Sequence, residues 1–362
     1  MRILELGHSV HVVDFLDART PDSYLRADDP FQVLDIQAFH RTVTRVHFLT
    51  SNSNRRLRLL TCSWQLRRIC RQAQVDVLLS LSGGALAMLA CLSGIRPYAI
   101  YVVGSDVLIP GRSARLLSPV FWGKADVVFA NGNYLAERAQ RLAPHAKILT
   151  LIIGVDVERF ASGPDPPGPV SIICTRGFLP MYNNESLIRG LAMLPDANLD
   201  IKVIFPSSGP TLRDVEKLAE QLLPPMMKQK VTFLGGVSDA GMTTCLQSAQ
   251  IYVSLSRSDG TSISLLEALA CGVFPVLTDM PQNREWIDPM LDNGILVPLD
   301  QPQLLASALL RAVSNRALRI HAKKINRQMV LERADSRKNM AILADELERI
   351  VQCSKGWPAR KI

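Results

Sequence analysis

The chain has 362 residues, 48% apolar and 20% charged, which suits two globular domains of ordinary size and excludes a disordered or fibrous protein. Its formal net charge of +8 favours acidic partners: nucleotide diphosphates, anionic lipid surfaces or nucleic acid. Seven scattered cysteines without a Cys-x-x-Cys pair argue for reduced thiols in the cytosol, six dispersed histidines make no metal-like cluster, and neither a nucleic-acid motif nor an aromatic stacking platform is evident.

The opening, MRILELGHSV, lacks the long apolar core and cleavage site of a secretory signal. RILELGH reads as the last turns of a helix ending at Gly7, and Ser9 to Phe15 as a strand. A doubly wound domain normally starts one strand earlier, with a Gly-rich loop feeding its first helix. The expectation is that this first strand, the loop and most of that helix are lacking; the competing reading makes Arg2 to Leu6 the first strand itself.

Arg45 to Leu49 reads as a strand, and Asn54 to Gln74 as a helix with Leu59, Cys62, Leu66, Ile69 and Ala73 at three- and four-residue spacing. Its other positions carry Arg55, Arg56, Arg58, Arg67, Arg68 and Arg71, with Trp64 nearby. Two readings stay open: a helix attracted to an anionic membrane surface, or a solvated basic face.

Val77 to Ile95 is uncharged and long enough to cross a membrane, but its serines and the Gly83-Gly84 pair divide it into a buried strand, a turn and a short helix. The strand Tyr98 to Val103 leads into Gly104-Ser105-Asp106, where Asp106 either caps the following turn or orients a bound hydroxyl. Ala125 to Asn131 and Ile148 to Ile152 are further strands, with a helix from Tyr134 between them. Residues 161–169, ASGPDPPGP, cannot form a packed element and read as a stiff linker.

A second α/β pattern begins with the strand Val170 to Cys174, followed at once by Arg176. The strands Leu199 to Phe205 and Val231 to Leu234 follow, the latter running into Gly235-Gly236-Val237. Then comes IYVSLSRSDGTSISLLEALACG: a strand from Ile251, a polar break, and helix formers stopped by Gly272. A strand–loop–helix of this kind aims backbone N–H groups and a positive dipole end at one spot, a site for an anion and most often phosphate. Asp259 in the loop and Glu267 in the helix suit hydroxyls on either side of a diphosphate better than the phosphates themselves. The same pattern is also that of an ordinary strand–helix turn. Phe274 to Thr278, a long helix from Pro302 and a last helix from Ser336 to Val351 complete the chain.

Asp259-x7-Glu267, with Ala268 to Gly272, Pro275-Val276 and Asn283 to Ile287, resembles the acidic-x7-Glu signature of the family 4 glycosyltransferases, in a branch with Asp at the first acid. The resemblance extends from about Leu6 to Val351, through LGHSVHVVDF, Gly104-Ser105-Asp106 and Gly154-Val155-Asp156. It implies a GT-B fold: two doubly wound, Rossmann-like α/β domains facing across a cleft. Their spans would be 1–160 with a truncated start, 170–335 beyond the linker, and 336–362 crossing back onto the first domain.

The implied activity is sugar transfer from a nucleotide-diphosphate sugar, with retained configuration, to a glycan or lipid-linked glycan. Arg176 and the helix starting near Ser262 would hold the diphosphate, with backbone amides of Gly260, Thr261, Ser262 and Ile263. Glu267 would take the ribose hydroxyls, Asp259 those of the sugar, Asp106 those of the acceptor, and the edge at Gly236 and Val237 the nucleobase. No metal or other cofactor is implied. A histidine of the family pattern is Val103 here and a lysine is Tyr182, which leaves Arg257 as a candidate compensating base. The setting is cytoplasmic, with peripheral contact to the inner membrane face as an option. The alternatives are an epimerase or phosphorylase on the same fold, or a truncated, non-catalytic nucleotide-sugar-binding subunit.

Overall fold

The computed structural model describes residues 7–16, 45–50, 58–165, 167–195 and 199–354. The expectations for residues 2–6 and for Arg55 and Arg56 lie outside them. The chain divides into two compact units, Met1–Ile152 with Arg337–Ile362, and Ile153–Ser336.

In the first unit, β1 (His11–Leu16) pairs in parallel with β2 (Arg45–Thr50), and β3 (Leu78–Ser80), β4 (Tyr98–Val102), β5 (Val127–Ala130) and β6 (Ile148–Thr150) form a separate four-stranded parallel sheet. Every residue of β4 and β5 is buried, as expected for parallel strands covered on both faces. Its longer helices before the C-terminal one are α1 (Arg58–Gln72), α2 (Ala85–Ser93), α3 (Arg112–Gly123) and α4 (Asn133–Leu142). From β3 to β6 the sheet is built in one direction, so right-handed crossovers put α2, α3 and α4 on one face. α1 packs beside α2 and joins that layer.

The uncharged span 77–95 is divided as expected into β3, a Gly-Gly turn and α2. Gly83 admits no side chain: a Cβ there would lie 2.4 Å from the Trp122 ring, whose Nε1 donates to the Gly83 carbonyl. Among the described residues no helix is long and apolar enough to cross a membrane.

The second unit holds one six-stranded parallel sheet: β7 (Val170–Ile173), β8 (Ile201–Phe205), β9 (Val231–Phe233), β10 (Ile251–Ser254), β11 (Phe274–Thr278) and β12 (Ile295–Val297). Their spatial order is β9-β8-β7-β10-β11-β12, the doubly wound arrangement in which the order reverses between β7 and β10. Its core runs from Phe178, Leu187 and Phe205 through Val253, Phe274 and Val276 to Leu309 and Ala322. The longer helices are α5 (Asn184–Leu191), α6 (Leu212–Leu222), α7 (Asp239–Gln247), α8 (Ile263–Cys271), α9 (Pro302–Ser314) and α10 (Arg316–Arg333). The single long helix expected from Pro302 is two, because Asn315 ends one and caps the next, its side chain accepting from the Leu318 N–H.

The boundary between the units differs from the expected one. Residues 153–160 belong to the second unit because Arg327, in α10, donates to the carbonyls of Val157 and Phe160. Gly154 sits at φ +79 where a Cβ would meet the Ala334 carbonyl at 2.6 Å, so this crossing needs glycine. The last helix, α11 (Ser336–Ser354), lies in the first unit beyond its opening residue, with Asn339 donating to Ile152 O at 2.8 Å and Lys147 paired to Glu346 at 2.7 Å.

Candidate functional site

β7 and β10 are neighbours, with Ile172 opposite Ile251 and Ile173 opposite Tyr252. The segments leaving their carboxyl ends emerge side by side at the switch point, where doubly wound sheets hold ligands. From β7 comes Arg176, and from β10 the loop carrying Asp259.

Arg176 is 7% exposed and tightly held. Its Nη2 pairs with Asp259 Oδ2 at 2.8 Å, and its Nη1 donates to Ser262 Oγ at 2.7 Å and to Ser264 Oγ at 3.4 Å. The Tyr182 ring centroid lies 3.9 Å from Cζ, a cation–π stack. Nε is buried without a partner, an unmet donor at the centre of the cluster. Burial disfavours the Arg176 charge, but Tyr252 and Asp259 beside it hold its pKa above the ordinary value. Burial also pushes the Asp259 carboxyl up, against the downward pull of Arg176 and of the Gly260 N–H, which donates to Oδ1 at 3.0 Å.

Ser262 caps α8 with its Oγ accepting from the Leu265 N–H at 3.4 Å. The first-turn N–H groups that follow have no acceptor within the helix, and Arg176 reaches Ser262 and Ser264 at that end. A guanidinium and a helix dipole thus reinforce one another at one place, an arrangement suited to phosphate. Glu267 lies further along α8, half-buried, and burial pushes its carboxyl up to about 7; Arg159 pulls it down and Asp239 adds to the rise. Arg159 itself donates to Asp239 O at 2.6 Å and Thr243 Oγ1 at 3.1 Å.

The structure therefore brings Arg176, Asp259 and Ser262 into direct contact, with Gly260 beside them and Thr261 buried in the same loop. Ile263 opens α8 with its side chain exposed. Gly236 and Val237 follow β9, two strands away from β7, with the Val237 N–H donating to Pro206 O at 3.3 Å.

Two of the expected site residues hold partners of their own in this structure. The Arg257 guanidinium binds Asp300 at 2.6 and 2.9 Å and Asn183 Oδ1 at 3.0 Å. Asp106 has both oxygens occupied by backbone, Oδ1 accepting from Gly104 N–H at 3.0 Å and Oδ2 from Gly83 N–H at 2.7 Å. Capping is what its geometry displays. It belongs to the first unit.

Sequence reasoning missed the side chain of Ser262 as an Arg176 acceptor, the stacking role of Tyr182, and Gln282, whose Nε2 holds Asp259 O at 2.7 Å. The N-cap position of Ser262 was the one available signal. Tyr182 and Gln282 reach the loop only through the fold.

The family profile described as "Glycosyltransferase Family 4" matches residues 2–159, and that described as "Glycosyl transferases group 1" matches residues 156–329. A phosphatidyl-myo-inositol mannosyltransferase of Mycobacterium tuberculosis is 32% identical over 184 residues, 48% of this chain and 46% of that one. A GDP-mannose:cellobiosyl-diphosphopolyprenol alpha-mannosyltransferase of Xanthomonas oryzae is 28% identical over 147 residues, 40% of this chain and 37% of the other. In these matches the chain spans about half the length of its curated relatives, or less.

Among solved structures, a glycosyltransferase from Rickettsia africae superimposes with a TM-score of 0.77 at 14% identity, over 97% of this chain and 93% of that one. Anabaena HepE in complex with UDP gives 0.76 at 15% identity, over 94% and 100%. These likenesses show the fold, GT-B, built from two Rossmann-like units.

Proposed function

We propose, on the premise that this chain belongs to the family 4 glycosyltransferases, that it moves a sugar from a nucleotide-diphosphate sugar to a glycan or lipid-linked glycan with retained configuration. One observation carries the reading: Arg176, buried at the mouth of α8 and paired with Asp259 at 2.8 Å.

Without donor, Asp259 neutralises Arg176. An incoming diphosphate offers more negative charge and a better fork for the guanidinium, so it displaces the carboxylate. Asp259 is then released to accept from hydroxyls of the sugar, one coupled exchange that docks the leaving group and orients the ring. As the bond to the leaving group breaks, Arg176 and the N–H groups opening α8 stabilise the charge growing on the diphosphate. In this reading Arg176 and the helix dipole supply the positive potential, with no metal ion required. Glu267 accepts from the ribose hydroxyls, and the edge at Gly236 and Val237 meets the base. The acceptor is lipid-borne in this reading, with the protein on the cytoplasmic side of an anionic membrane.

Mannosyl relatives put GDP-mannose first among the donors to be tried, followed by UDP-sugars. Incubation with labelled donor and membrane lipid extract should move label into an acid-labile lipid or glycan with the anomeric configuration kept. Label appearing as a free sugar phosphate or an epimerised nucleotide sugar would replace transfer by phosphorolysis or epimerisation. A second reading, binding without transfer, is favoured by Val103, which cannot donate a hydrogen bond, and by the backbone engagement of Asp106. Stoichiometric nucleotide-sugar binding with no turnover on any acceptor would establish it.

A further inference from the structure

Residues 58–124 hold eight Lys and Arg against two Asp, so most of the chain's net charge of +8 sits in under a fifth of its length. One of the two acids, Asp106, is already occupied by backbone N–H groups. The same stretch contains α1, α2 and α3, which lie side by side in one helical layer.

The outer side of that layer is apolar as well as basic. On α1, Leu60 and the Trp64 ring, 62% exposed, stand in line with exposed Arg67, Arg68 and Arg71, and the Arg68 guanidinium sits 5.9 Å from the Trp64 ring centroid. α1 contains no acid to pair with them. Across α2, where Leu86 and Leu92 are exposed, α3 presents Leu116, 77% exposed, and Val120 beside Arg115. The fourth helix of the layer is the control. α4 turns Glu137, Gln140 and Arg141 outward, with Arg138 half-buried and Glu137 paired to Arg141 at 4.0 Å, an ordinary solvated face.

We infer that the outer face of α1, α2 and α3 docks on an anionic lipid bilayer, with Trp64, Leu60, Leu116 and Val120 entering the headgroup boundary and the arginines meeting lipid phosphates. Charge decides among occupants. A second copy of this face would bring like charges together. Nucleic acid would answer the arginines but leave large leucines facing its hydrated backbone. A bilayer answers both at once, and aromatic rings with basic neighbours are favoured at that depth.

The inference does not depend on sugar transfer, because binding is read without donor. The full chain should co-sediment with vesicles rich in phosphatidylglycerol and not with phosphatidylcholine alone, and added salt should weaken the binding. Arg68→Glu with Arg71→Glu should lower vesicle affinity about tenfold or more. Leu116→Ser with Val120→Ser should lower it several-fold. Arg138→Glu with Arg141→Glu on α4 should leave it unchanged, and all three variants should keep the wild-type thermal transition and GDP or UDP affinity. Indifference to anionic vesicles overturns the proposal. So does equal binding by wild type and both face variants, or an effect of the arginine pair alone accompanied by tighter binding to RNA than to vesicles.

Discussion

Each unit carries an aspartate just past the carboxyl end of an interior strand, Asp106 after β4 and Asp259 after β10, and the two are satisfied by different chemistry. Asp106 spends its oxygens on the backbone N–H groups of Gly83 and Gly104, which have nowhere else to go. Asp259 has its Oδ2 on the guanidinium of Arg176, the partner that a diphosphate takes over in the proposed function. A carboxylate tied to backbone is part of the scaffold. One tied to a buried arginine at a helix mouth is poised for exchange.

The largest effects should fall on the exchangeable pair. Arg176→Ala should lower transfer about a hundred- to a thousandfold, as removal of a single stabilising donor from a preorganised site does. Asp259→Ala should lower transfer comparably while GDP or UDP binds as tightly as in wild type or tighter, because the competing carboxylate is gone. Calorimetry with the nucleoside diphosphates reads this directly. Weaker nucleotide binding in Asp259→Ala would mean that the acid supports the diphosphate site rather than competing for it.

Asp106→Ala should do the reverse. Leaving two inward N–H groups without acceptors should cost about 2 kcal/mol of stability, seen in denaturant unfolding, with nucleotide affinity untouched. Should that variant unfold like wild type yet lose transfer to the acceptor, Asp106 would belong with the exchangeable group after all.

The doubly wound order of the second unit was largely legible, because β10 and β11 read as near-continuous apolar runs and Gly272 stops α8. Asp259, Glu267 and Arg176 were legible as residues. Their contact was not: Arg176 and Asp259 are 83 positions apart, and only the placing of β7 beside β10 brings them together. Arg257 is near Asp259 along the chain, yet the loop turns its side chain to Asp300. Val157 and Phe160 are tied to Arg327, far along the chain, and no local pattern announces that contact.

Glu267 sharpens the contrast through pH. With its pKa pushed up to about 7, the native state keeps a proton that the unfolded chain releases near the usual 4.5. Native protein therefore holds more protons across that window, and stability without ligand should fall as pH rises from about 4.5 to 7. Glu267→Gln should remove that slope, with a gain on the order of 1 kcal/mol at pH 8 and none at pH 4. Donor binding should move the opposite way in wild type, weakening as pH drops below 7 and the carboxylate is lost. A pH-independent donor affinity would detach Glu267 from the ribose.

Tyr182 should show the smallest effect, and its pattern separates stacking from hydrogen bonding. The ring lies 3.9 Å from the Arg176 guanidinium in a cluster that excludes most water, where a cation–π contact contributes about 1 kcal/mol. Tyr182→Ala should raise the donor KM by roughly fivefold, since the guanidinium loses the surface that keeps its fork in plane. Tyr182→Phe keeps the face and should behave like wild type in kinetics of donor use. A loss in the Phe variant equal to that in the Ala variant would make the hydroxyl, not the ring, the group that matters, and Arg176 would then be oriented by Asp259 and Ser262 alone.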